Sequence, residues 1–220
     1  MKTALVFGSS GLIGGHLLSQ LIENDDYNKI KIFVRSEPEI NDPKVEIIKT
    51  DFNNLENHKE DIKGDDCFFC IGTTKQNSPD KNEYRRVELD VPKEIAQIAK
   101  SNSGNSFVFV SSGYADPKSS GDYLKFKGEV EEELKRLNFS KLGIMRPSFL
   151  LGDRKEKRVG EKIGIFVFKL LSPLFLGPLK KMKPIHSVTV AKAMIRTANE
   201  NLEKNIFESN EIAELVLNQS

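Results

Sequence analysis

The chain has no tryptophan, two cysteines and three histidines, and no excess of either charge: 33 Lys+Arg stand against 32 Asp+Glu in 220 residues, a formal net charge of +1. Each shortage excludes something. Cys67 and Cys70 cannot build the disulfide framework of a small secreted domain. A near-neutral balance argues against a nucleic-acid binder held by bulk charge. His16, His58 and His186 lack the spacing of a metal site. No uninterrupted apolar run reaches the about 18 residues of a spanning helix. The apolar run before Gly8 is too short for a signal peptide and passes straight into a glycine turn. The expectation is a soluble, cytoplasmic protein without metal or transmembrane segment.

What is present is globular: 38% hydrophobic and 30% charged residues, in a chain long enough to bury roughly 70% of its unfolded surface. Short apolar runs alternate with helical patterns. Strands are expected at Thr3–Phe7, Lys29–Val34, Val45–Lys49, Cys67–Ile71, Phe107–Val110 and Leu142–Met145. Helices are expected at Leu12–Ile22 and at about 55–63, 81–101 and 121–137. Asp90 and Pro92 read as a helix restart within the third of these patterns. This rhythm predicts an α/β fold, a Rossmann-like doubly wound parallel sheet with helices on both faces. After Pro147 the rhythm weakens until a helix near 188–200, a short strand at Asn205–Glu208 and a helix near 210–217. The whole of 1–220 is expected to be one domain, with 148–185 as a small substrate or lid region.

The strongest local signal is Gly8-Ser9-Ser10-Gly11-Leu12-Ile13-Gly14, a G-x-x-G-x-x-G turn between the first strand and the first helix. Glycines allow a tight turn and let backbone approach a pyrophosphate, which the helix N-terminus then faces with free N–H groups. The second strand ends at Arg35, where an acidic residue would favour NAD. A guanidinium there can pair with a 2′-phosphate, with Ser9 and Ser10 as hydroxyl donors. That favours NADP(H) and leaves NAD(H) open. Asp51 follows the third strand and could accept from an adenine amino group with Phe52 against the ring; a turn-capping aspartate reads equally well. Cys70, Ile71, Gly72 and Thr73 follow the fourth strand, where ligands bind in such folds.

Tyr123 and Lys127 form Y-x-x-x-K, one helical turn apart on one face. An ammonium beside a tyrosine favours the tyrosinate, which suits a proton-transferring residue. Ser111 and Ser112 end the fifth strand, twelve and eleven residues before Tyr123. Either hydroxyl could orient a substrate oxygen; Ser112 is preferred.

Together, Cys70-Ile71-Gly72-Thr73-Thr74, Val110-Ser111-Ser112, the segment Tyr123–Glu131 and the segment Arg146–Arg154 resemble the atypical branch of the short-chain dehydrogenase/reductase superfamily, in particular the family of the human Tat-interacting oxidoreductase. The resemblance spans roughly residues 3–217. It implies NADP(H) binding, Tyr123 as proton donor, Lys127 as ribose anchor and electrostatic helper, and Ser112 as substrate orienter. Backbone after Pro147 would flank the nicotinamide, although Ser148 stands where the family often has glycine. The activity it implies is hydride transfer between nicotinamide and a small carbonyl or alcohol. Two rivals remain: a cofactor-binding redox-sensing regulator, and a sugar-nucleotide epimerase or dehydratase. The last class carries a larger substrate region than the about 70 residues after Pro147.

Two other features read as structural. Cys67 and Cys70, three apart in a strand, face opposite sides and are expected to be free thiols. The apolar stretch 163–179 is expected to pack on the core edge or cover an apolar substrate, with a homodimer surface or a membrane-leaning face beside Lys180, Lys181 and Lys183 as further readings.

Overall fold

A computed structural model describes residues 1–152 and 181–217. Seven parallel strands form one sheet in the order β3-β2-β1-β4-β5-β6-β9. They are β1 (Lys2–Phe7), β2 (Tyr27–Val34), β3 (Val45–Lys49), β4 (Asp66–Phe69), β5 (Ser106–Val110), β6 (Lys141–Arg146) and β9 (Ile206–Glu208). A separate two-stranded pair joins β7 (Leu150–Leu151) to β8 (Ile185–His186). Helices α1 (Leu12–Ile22), α5 (Ser187–Asn199) and α6 (Ser209–Leu217) cover one face. Helices α3 (Val91–Ser101) and α4 (Asp122–Leu137) cover the other. The doubly wound parallel architecture expected from the alternating pattern is present.

Parallel strands covered on both faces read as apolar runs without polar alternation. In β1, Ala4 and Val6 join the core under α1 and α5, while Leu5 and Phe7 join the core under α3 and α4. Register then aligns an aromatic row: Phe33, Phe7, Phe69 and Phe109 are successive cross-strand partners on β2, β1, β4 and β5. Their ring centroids stand 4.3, 6.0 and 5.9 Å apart along the row. Such pairs add about 0.5–1.5 kcal/mol each beyond the area they bury. The row lies in the last turn of the strands, beneath their carboxyl ends. Cys67 and Cys70 belong to opposite cores and are free, as their spacing predicts.

Two expected helices differ. The pattern at 55–63 forms only a 3-10 turn at Leu55–His58. Leu55 is its one buried residue, too little apolar face to propagate a helix. The pattern at 81–101 does not restart at Asp90. It runs from α2 (Lys81–Arg85) through a π turn at Arg86–Asp90 into α3, with Asp90 in helical conformation and making no cap. The real cap is Asp80, whose carboxylate accepts from the N–H groups of Asn82 and Glu83. The short β7–β8 pair had no sequence signal. Most of the expected lid over 148–185, and all of the apolar stretch 163–179, lie outside the described residues.

The amino end of the sheet is closed by one buried carboxylate. Asp66 accepts from Tyr27 Oη (2.8 Å), Lys2 Nζ (3.0 Å) and Ser106 Oγ (2.6 Å). Burial first, and then the Asp66 charge, push the Tyr27 phenol well above its ordinary value. Folded Tyr27 therefore keeps its proton where an unfolded chain releases it, at about pH 10. Its contribution is complete below that pH and declines as the pH rises further. Tyr27→Phe is expected to lose stability less steeply than the unsubstituted chain between about pH 10 and 12, read from guanidinium melts at stepped pH.

Candidate active site

The chain reverses its winding between β1 and β4, the neighbours at the centre of the sheet order. In open α/β sheets this switch point, at the carboxyl ends of the strands, is where ligands bind. The glycine turn stands there. Gly8 has φ +91°, and a Cβ on it would lie 2.9 Å from the Cys70 carbonyl carbon. A Cβ on Gly14 would lie 2.0 Å from the Gly8 oxygen, so only glycine lets α1 start this close to β1. Gly11 caps the helix without a side-chain hydrogen bond, and the first turn carries no acidic residue. Its first N–H groups have no intrahelical acceptor. This cradle fits the pyrophosphate of a dinucleotide.

The side chains around the turn divide by exposure. Ser10 and Gly11 are open, Leu12 is half-buried, and Ser9 and Ile13 are buried. Ser10 is therefore the accessible hydroxyl, and Ile13 offers its backbone while its side chain belongs to the core. Arg35 is exposed at the carboxyl end of β2. Asp51 accepts from Asn53 N (2.9 Å) and Nδ2 (3.1 Å). Those bonds hold its carboxyl below the usual range and make it the anchor of a turn. The turn puts Phe52 in left-handed conformation, φ 64°, with its ring partly packed on the core.

Residues 70–74 leave β4 beside the glycine turn, tied by Cys70 N–H to the Phe7 carbonyl at 2.8 Å. Burial pushes the Cys70 thiol up to about 12, with Lys127 opposing, so it is no thiolate nucleophile. Thr73 N–H donates to Glu88 Oε1 at 2.5 Å. Lys127 reaches the same place from α4. Its Nζ is 3.0 Å from Glu88 Oε2, 3.4 Å from the Val110 carbonyl and 4.8 Å from the centre of the Phe109 ring. The Tyr123 ring centre is 6.0 Å from Nζ. Burial opposes the Lys127 charge, but Glu88, followed by the Tyr123 oxygen, outweighs it and holds the ammonium above the ordinary lysine value. Tyr123 is 39% exposed and Lys127 only 3%. A ligand can reach the hydroxyl while the cation behind it stays shielded from water.

The two serines separate. Ser111 is buried and donates to Glu131 Oε1 at 2.5 Å. Glu131 also accepts from Arg146 Nε at 2.9 Å, and Arg146 donates to the Ala115 carbonyl at 3.1 Å. Ser111 thus belongs to a structural network joining α4 to the ends of β5 and β6. Ser112 is half-buried, and its hydroxyl makes one long bond of 3.3 Å to the Gly113 carbonyl. Gly113 N–H binds the carbonyl of the buried Pro147 at 3.1 Å, joining this loop to the end of β6. A Cβ on Gly128 would meet Pro117 N at 2.3 Å, so the loop after Ser112 crosses α4 in close contact at Gly128.

Sequence reasoning missed Glu88 and the Glu131–Arg146 pair. The available signal was a carboxylate on an apolar helix face: Glu88 lies between the buried Tyr84 and Ile95 at helical spacing.

Known proteins resemble this chain in sequence and in fold. The family model described as NAD(P)H-binding matches residues 8–164. "Protein FMP52, mitochondrial" of Candida glabrata is 32% identical over 99% of this chain and 97% of its own. "Protein HTATIP2" of Rattus norvegicus is 33% identical over 88% of this chain and 80% of its own, in line with the resemblance to the Tat-interacting family. Among solved structures, the UDP-N-acetylglucosamine 4-epimerase from Methanobrevibacter ruminantium M1 superposes with a TM-score of 0.70 at 20% identity. That match covers 94% of this chain and 75% of the epimerase, and it bears on the fold alone. Several relatives besides the first are also named mitochondrial, which overturns the expectation of a cytoplasmic protein. The chain belongs to the NAD(P)H-binding family and shares its ancestry with the FMP52 and HTATIP2 proteins.

Proposed function

We propose that the chain is an NADP(H)-dependent oxidoreductase of the short-chain type acting on a small carbonyl or alcohol. The carrying observation is an accessible Tyr123 backed by the buried Lys127, beside the glycine cradle and the 70–74 loop. When bound, a reduced nicotinamide supplies the hydride. The chain's own residues do the rest. Ser112 orients the substrate oxygen, and the Tyr123 hydroxyl gives that oxygen its proton. The Lys127 ammonium favours the tyrosinate left behind. Gly8, Gly11 and Gly14 with Ser10 hold the pyrophosphate, and Arg35 takes the 2′-phosphate. Phe52 and the Asp51 turn flank the adenine, and backbone near Pro147 borders the nicotinamide.

Four comparisons test this reading. Arg35→Ala is expected to weaken NADPH binding about 10–100-fold, the worth of a charge-assisted contact. NADH affinity should hardly move; equal losses for both nucleotides would remove Arg35 from cofactor choice. Nicotinamide fluorescence titration reads both. Tyr123→Phe should bind NADPH normally and reduce members of a carbonyl panel about 10²–10⁴-fold more slowly. Undiminished turnover would sink the mechanism. A wild-type chain that binds NADPH tightly and reduces nothing on a broad panel would favour the regulator instead. Ser112→Ala should lower turnover without changing the melting temperature, whereas Ser111→Ala, which breaks a buried bond to a carboxylate, should cost about 1.5–3 kcal/mol of stability.

A further inference from the structure

Glu88 is a fully buried carboxylate for which the proposed reaction has no assigned role. The helix that carries it contains a π turn at Arg86–Asp90. Such turns sacrifice regular hydrogen bonding and recur at functional sites. Here the turn lies between Tyr84 and Val91, both buried, and it delivers Glu88 into the gap between the 70–74 loop and α4. One oxygen accepts from Thr73 N–H at 2.5 Å. The other stands 3.0 Å from Lys127 Nζ, a salt bridge between two buried side chains. A Cβ on Gly72 would lie 3.5 Å from the first oxygen and 4.0 Å from Nζ, so the loop passes directly over the pair.

A buried ammonium without a counter-ion gives up its proton. The titratable groups around Lys127 are Glu88 from the π turn, Tyr123 from its own helix and Cys70 from the end of β4; Tyr84 of α2 in turn feels Glu88, Tyr123 and Asp122. Burial pushes the Cys70 and Tyr84 protons to stay on, which leaves Glu88 as the standing negative charge beside the ammonium. The contacts from β5, the Val110 carbonyl and the Phe109 ring, add dipole and quadrupole but no charge.

We propose that Glu88 is the positioning residue of the Tyr123–Lys127 pair: its carboxylate is the fixed counter-ion that keeps Lys127 charged beside Tyr123 and ties it to the 70–74 loop. The role of the pair rests on the reading under Proposed function; the counter-ion itself is tested without cofactor or substrate, so failure of either is seen separately. The first arm follows the carbon-13 Cε resonance of Lys127 against pH in lysine-labelled protein, assigned by its absence in Lys127→Met. In Glu88→Gln the midpoint should fall by at least about 2 pH units. A midpoint within about 0.5 unit of the unsubstituted chain overturns the proposal. The second arm holds even if Glu88→Gln folds poorly. Glu88→Gln should lower the melting temperature by leaving a buried charge unpaired, and E88Q/K127M, which removes both charges, should recover at least half of that loss. No recovery would mean that Glu88 fills space rather than balances charge, and would overturn the proposal as well.

Discussion

Helix α1 meets the turn after β1 at a separation no side chain allows. The Gly14 backbone rests against the Gly8 carbonyl, and Gly8 in turn abuts the Cys70–Ile71 peptide. The end of β1, the start of α1 and, some sixty residues on, the end of β4 are thereby locked to one point at the switch in strand order. Every other part of the site is measured from that point. The 70–74 loop leaves β4 alongside it, Glu88 catches that loop, and Lys127 comes down on Glu88 from α4. A bulkier residue at Gly14 would have to push α1 away from the end of β1, taking with it the N–H groups of the first helical turn.

Helix α4 is held from two sides by carboxylates of different origin. On one side, Lys127 of α4 pairs with Glu88 from the π turn. On the other, Glu131 of α4 receives Arg146 from β6 and Ser111 from β5. Glu131 and hydrogen bonding to it hold the Arg146 guanidinium charge firmly, with Glu208 of β9 adding to the pairing at 3.4 Å. Buried charges are costly unless paired, and a pair broken on one side costs more than a pair never made. Such contacts specify where α4 lies more than they stabilise it. The result is that Tyr123, one turn before Lys127, is presented at a fixed height over the strand ends while its own side chain stays accessible. The aromatic row beneath, from Phe33 to Phe109, gives the assembly a rigid apolar floor.

Much of this was legible in the chain because local patterns and tertiary demands coincide. Strands covered on both faces must be apolar where they are covered, and residues 4–7, 32–34, 67–69, 107–109 and 142–145 are. Helix α1 must carry its apolar residues at 3.6-residue spacing, and Leu17, Leu18 and Leu21 do. The glycine spacing reads directly as a turn because no other residue tolerates it. Where local pattern and outcome diverge, the cause is identifiable. The 55–63 segment has helical polarity, but only Leu55 and Ile62, seven residues apart, are buried in it, and the 3-10 turn ends at His58. Asp90 looks like a cap, yet the chain stays helical through it because the apolar positions from Tyr84 to Ile95 bury one continuous face.

The sequence by itself determined the order of elements, the parallel sheet, the glycine turn and the Tyr123–Lys127 spacing, since each follows from contacts within a few residues or from burial period. Tertiary structure alone decided which of two adjacent serines is free. Ser111 and Ser112 are equivalent until Glu131, twenty residues on, takes one of them. It also decided that Asp51 serves its own turn, and that Glu88 faces Lys127 across the gap between two helices. Charges separated by 39 residues have no common period in the sequence; only the fold, by excluding water from both, makes each the other's partner.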